Sequence, residues 1–252
     1  MPLLTTWVWL LLALVPLVLL ERWIHRRLQG LWLLLLRDAD MALVMYSLMM
    51  LPGVLLHEGS HWIAATLLGV RAGRFSVIPK RLPNGNLRLG YVETESADVV
   101  RESLIGAAPL IFGVAAIVFM GYSRLGVGPV GEALGQGDLL GALAGAQAMV
   151  ERPDFWLWVY LLFTVANSML PSASDRRAWG PVGVGVAALT GLMFYAGLGP
   201  ALMDSFGGAL EAATRVVAAG FTLTVGINLL IMPLLWALEW AVTRVTGLKV
   251  NY

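Results

Sequence analysis

His57, Glu58 and His61 belong to a His-Glu-Gly-Ser-His pentapeptide inside an apolar stretch, 41–68, of a 252-residue chain. Histidines four apart project from one face of an α-helix, so both imidazoles reach a single metal ion. Zinc fits this donor set. It takes imidazole nitrogen and carboxylate oxygen in a tetrahedral shell, and a catalytic centre keeps three protein ligands with water in the fourth place. Glu58 lies close enough to take a proton from that water, which makes it the general base. Ionisable side chains at the centre of a bilayer cost roughly 2.5 kcal/mol or more each, so three in one turn call for a metal, partners or water. The plain alternative is a pair of satisfied buried histidines.

Composition places this motif in a membrane. The chain is 58% hydrophobic and 13% charged, with a mean hydropathy of +0.77, values outside the range of soluble domains of this size. A net charge of +1 without a long basic cluster gives no reason to expect nucleic acid. The absence of cysteine removes disulfides, thiolate ligands and cysteine nucleophiles. The chemistry falls to His, Asp, Glu and hydroxyl groups.

The elements that must position the motif follow from the apolar runs. We expect an all-α polytopic membrane protein with six spans, at 3–20, 41–68, 103–122, 155–170, 182–198 and 216–237, forming a single integral membrane domain. The segment 31–36 is too short to cross and reads as interfacial or re-entrant, after which Asp38 and Asp40 suit the start of the second span. The 124–154 connector is expected to carry a short helix at 139–150, and 204–215 a separate amphipathic piece. Phe75, Val77, Leu87, Leu89 and Tyr91 alternate around Pro83-Asn84-Gly85-Asn86, which predicts a β-hairpin over 74–93. Its edge would let an extended stretch of substrate pair beside the metal. As a plain connection it would only join spans two and three.

A third ligand must come from elsewhere. His25 stands among arginines beyond the first span and reads as an interface residue. Asp175 closes the run Asn167-Ser-Met-Leu-Pro171-Ser-Ala-Ser-Asp175 at the end of span four. With span three between them, spans two and four run in the same direction, so Asp175 and the histidines share one side of the membrane. Asn167 and Pro171 loosen that helix and free polar groups that need a partner or a water-filled cavity. The alternative is a surface ion pair of Asp175 with Arg176 or Arg177, leaving Glu211 or Glu239 as third ligand.

The motif in the second of six spans, the hairpin after it and the Asn-Pro-Asp element ending the fourth resemble the site-2 protease family of intramembrane zinc metalloproteases. The resemblance covers about 41–177, a protease-like core. It implies a zinc cofactor held by His57, His61 and Asp175, with Glu58 as catalytic base and Asn167 in substrate binding. Gly106-Ala-Ala-Pro109 is similar to the Gly-Pro stretch that lines the family's site. Pro171 follows Asn167 by four positions where the family has three, and Arg176 stands where a Gly is usual. The implied reaction is hydrolysis of a peptide bond in or near the transmembrane segment of a membrane protein, as in regulated intramembrane proteolysis, with zinc-bound water activated by Glu58.

If the six spans alternate, seven Lys/Arg lie on the Arg22 side and ten on the hairpin side. The positive-inside rule then leans to a cytoplasmic mouth for the active site. Two other readings stand beside the protease: a non-catalytic membrane partner or chaperone subunit derived from this fold, and a membrane zinc hydrolase acting on a lipidated peptide or lipid.

Overall fold

The structure, a computed structural model, describes residues 3–81 and 87–250. It is mostly helical, and among the described residues four helices are long and apolar enough to cross a membrane. The first is α1, Leu3–Leu36. Where the sequence suggested a span closing near residue 20 and a separate piece at 31–36, the helix runs through. Glu21, Arg22, Arg26 and Arg27 are good helix formers, so charge there changes which solvent the helix meets without stopping it. A two-residue connection follows, with Arg37 at positive φ. Asp38 caps α2, Ala39–Leu67, by accepting from the amides of Asp40 and Met41 at 2.9 and 2.8 Å. This is the capping role expected of the acidic pair.

The hairpin forms as two short paired segments. Strand β1, Ala72–Ser76, pairs antiparallel with β4, Tyr91–Thr94, and β2, Lys80–Arg81, pairs with β3, Leu87–Arg88. The Pro83-Asn84-Gly85-Asn86 turn lies outside the described residues. Helix α3, Val99–Phe119, returns across the bundle and ends in a π-helical turn, Met120–Leu125. Helices α4, Gly128–Gly135, and α5, Leu139–Val150, form the connector, α5 where the short helix was expected.

Helix α6, Phe155–Ala166, and α7, Trp179–Tyr195, are apolar but shorter than the roughly 20 residues of a full crossing. The expected spans at 155–170 and 182–198 are therefore not full-length crossing helices. Helix α8, Gly199–Thr246, absorbs the piece expected at 204–215 into one continuous helix, with Glu211 and Arg215 paired one turn apart at 2.6 Å. At about 1.5 Å per residue it extends some 72 Å, well beyond a hydrocarbon layer.

One core joins α1, α2, α3, α6 and α8 around Leu17, Ile24, Tyr46, Met50, Ile117 and Met169. Large apolar side chains such as Leu12, Val15 and Leu230 point outward, as lipid requires. Polar pairs then pin the helices. Arg27 donates to both carboxylate oxygens of Glu239 at 2.7 Å, tying α1 to α8. Asn167 and Asn228 are buried and exchange amide hydrogen bonds at 2.8 and 3.1 Å, tying the end of α6 to α8. Replacing Asn228 with Leu removes the donor to the Asn167 amide oxygen and leaves that oxygen unpaired in the core. A buried polar group left unsatisfied costs about 1–3 kcal/mol, a loss to be read as an earlier unfolding midpoint in mixed detergent micelles.

Helices α2 and α6 lie side by side and parallel. The Tyr160 hydroxyl donates to the Met49 carbonyl at 2.9 Å, and His57 meets the Ser168 carbonyl at the same offset two turns on. Between them a Cβ on Gly53 would collide with the Thr164 carbonyl, so glycine permits this approach. The shared direction expected of these two segments is thus observed.

Candidate metal centre

Each histidine is held by the nitrogen that faces away from the centre. His57 Nδ1 lies 2.6 Å from the Ser168 carbonyl oxygen just beyond α6, and His61 Nδ1 lies 2.8 Å from the Ile105 carbonyl oxygen in α3. A carbonyl only accepts, so both Nδ1 atoms carry hydrogen and both Nε2 atoms are left to face inward. There they meet Asp175. His57 Nε2 is 3.6 Å from Oδ2, and His61 Nε2 is 3.4 Å from Oδ1.

These spacings are long for a strong hydrogen bond and close to what a bridging metal requires. Zinc bonds of about 2.0–2.1 Å in a tetrahedral shell put neighbouring ligand atoms about 3.3 Å apart. One ligand atom from each of the three residues falls within 4.8 Å of the others. Two imidazole nitrogens and a carboxylate turned toward one point form a donor set that fits a divalent ion. Burial alone raises the Asp175 carboxyl, but His57, His61 and Ser172 outweigh it and hold it well below the usual carboxylate range. It is present as the anion a metal needs.

The loop after α6 carries Asp175 to this point. The Ser172 amide donates to Oδ2 at 2.7 Å, the Asp175 amide donates back to the Ser172 hydroxyl at 3.3 Å, and Trp179 fastens the start of α7 to the Ser103 carbonyl at 3.2 Å. Arg176 bonds the Ser172 carbonyl at 3.3 Å, so the carboxylate is directed at the histidines instead of its arginine neighbours. Glu239 and Glu211 are engaged by Arg27 and Arg215, away from the centre. Asp175 is the third member of the cluster.

Glycines set two further contacts. A Cβ on Gly106 would collide with the Asp175 carbonyl oxygen, so α3 reaches the loop only because residue 106 has no side chain. Gly106→Val is expected to push Asp175 off the histidines and weaken metal binding about tenfold or more, with the helical circular dichroism unchanged; competition for added zinc with a chromophoric chelator measures it. At Gly90, beside β4, a Cβ would lie 2.8 Å from Glu58 Cγ. The hairpin therefore presses on Glu58.

The centre opens on a cavity of about 890 Å³ whose wall includes Glu58, Gly90, Tyr91, Asn167 and Ser168. Asn167 stands in that wall, its amide donating to Phe163 and Asn228. His25, read as an interface residue, lies in the wall with Glu21. The two orienting carbonyls and these α1 residues escaped the sequence reading. Carbonyls leave no trace in residue type, but the apolar run resuming at 31–36 was a sign that the helix carrying Glu21 and His25 continues past them. Comparison with protein-family models, curated proteins and solved structures finds no match.

Proposed function

We propose that the chain is an intramembrane zinc metalloprotease of the site-2 protease kind, cutting a peptide bond within or near the transmembrane segment of a membrane protein. The convergence of His57 Nε2, His61 Nε2 and the Asp175 carboxylate on one point of a cavity wall carries this reading. Zinc bound there supplies Lewis acidity to a carbonyl and lowers the pKa of water. Glu58, on the intervening helical position and in the same wall, takes the proton of the attacking water and delivers it to the leaving amine.

Strand β4 supports a peptide substrate. It pairs with β1 on one side, and its residues Tyr91, Val92 and Thr94 line the cavity. An extended segment laid along it gains main-chain hydrogen bonds and presents its carbonyl to the centre. In this reading α6 and α7 complete a six-segment bundle whose mouth opens to the cytoplasm.

The test is co-expression with a library of doubly tagged single-span membrane proteins. Fragments that appear with wild type and vanish with a zinc-loaded Glu58 variant support the protease. Stable capture of a library member by zinc-loaded wild type, with no fragment at any time, assigns the chain to the non-catalytic partner class instead.

A further inference from the structure

The cavity has a second polar pole that the hydrolytic reading does not use. Glu21 and His25 are one turn apart on α1, with Glu21 Oε1 3.6 Å from His25 Nε2. The other ring nitrogen, Nδ1, lies 2.5 Å from the hydroxyl of Tyr46, which is 2% exposed on α2. The ring is thus fixed from behind, and both the imidazole and the carboxylate line the cavity that holds the metal centre. Their side chains keep 25% and 16% exposure, all within a bundle whose surroundings are apolar. An ionisable pair retained at such a place points to function, because replacing it with apolar residues would remove its desolvation cost.

Position suits substrate contact. The helices α1 and α2 form an antiparallel pair through residues 37–38. Tyr46 stands eleven residues before His57, about 16 Å along the axis, and Glu21 lies one turn nearer on α1. An extended tripeptide with one long side chain spans that interval. The charge suits a cation. The wall carries Glu21, Glu58, Glu95, Glu102 and Asp175 against Arg177, and Glu21 sits apart from the carboxylates that serve the metal centre.

We infer that Glu21, oriented by His25 and Tyr46, forms a specificity subsite for a basic side chain, lysine or arginine, of the substrate segment near the scissile bond. This rests on the hydrolase reading above and names the substrate feature it selects. A metal ion is a poorer occupant, since Glu21 and His25 offer two ligand atoms where the main centre offers three.

The experiment measures binding of hydroxamate tripeptides to the zinc-loaded protein in detergent, with lysine placed at each position in turn beside its norleucine counterpart. The hydroxamate anchors on zinc, so the side chain alone distinguishes each pair. At one position lysine is expected to bind about tenfold more tightly than norleucine, the ratio of one charge-assisted hydrogen bond. The ratio falls to near one in Glu21→Gln and persists in Glu21→Asp, with zinc content equal in all three. Norleucine peptides that bind with no lysine preference at any position, or a preference unaltered in Glu21→Gln, overturn the subsite and leave the hydrolase standing. Failure of every hydroxamate to bind zinc-loaded protein overturns both. A second equivalent of zinc in wild type, lost in Glu21→Gln, assigns the pair to metal and overturns the subsite.

Discussion

Asp175→Ala is expected to leave the purified protein without stoichiometric zinc. The carboxylate is the anionic member of the cluster, facing both Nε2 atoms at 3.4 and 3.6 Å. Without it, two neutral imidazoles must hold a divalent ion in a poorly solvated wall. Removing one partner of a buried charged pair costs roughly 3–5 kcal/mol, which is roughly two to four orders of magnitude in affinity. Zinc content by mass spectrometry of wild type, Asp175→Ala and a His57→Ala/His61→Ala control decides the matter. Full zinc in Asp175→Ala would remove Asp175 from the centre, and with it the argument that the loop after α6 completes the site. The substitution spares α6 itself, so helical content serves as the folding control.

Glu58→Gln has the opposite signature. The amide keeps the shape and length of the side chain, so the contact with Gly90 and the ligands on either side survive and zinc remains bound. On the protease reading proposed above, what is lost is a group able to accept a proton from water and return it to the leaving amine. General acid-base catalysis contributes about 10²- to 10⁴-fold, so turnover of a cleaved single-span substrate in proteoliposomes falls by that factor. KM stays close to wild type, because the interaction removed acts in the transition state. Turnover within a few-fold of wild type, at equal zinc, would move the base to another residue and reopen the role of the motif.

The two substitutions separate holding the metal from using it. A non-catalytic descendant of the fold predicts the first result without the second, since it has no turnover to lose. Gly106→Val and Asn228→Leu then probe the supports: one displaces Asp175 from behind, the other loosens the junction of α6 with α8. Asn228 reaches the centre through Asn167, whose neighbour Ser168 offers the carbonyl that orients His57.

The membrane character, the antiparallel pairing of the strands flanking residues 82–86, the short helix at Leu139–Val150 and the cap at Asp38 were all legible in residue order, because each depends on neighbours within a few positions. Helix ends were read less well. Charged residues inside α1 and α8 looked like boundaries, yet Glu21 pairs with His25, Glu211 with Arg215, and Arg27 reaches Glu239 on the far helix. Pairing of that kind lets a helix carry charge past the point where hydropathy falls.

The sequence by itself determined that His57 and His61 share a helical face with Glu58 beside them, since 3.6 residues per turn is a local property of the backbone. Tertiary structure alone decided the rest of the site. The parallel contact of α2 and α6, permitted by Gly53, sets Ser168 behind His57, and the contact of Gly106 with the loop sets Asp175 before both rings. Packing of α1 against α2 turned His25 from an apparent interface residue into part of the cavity wall. These contacts join residues scores of positions apart, and their energies come from close packing and buried hydrogen bonds that no local spacing encodes.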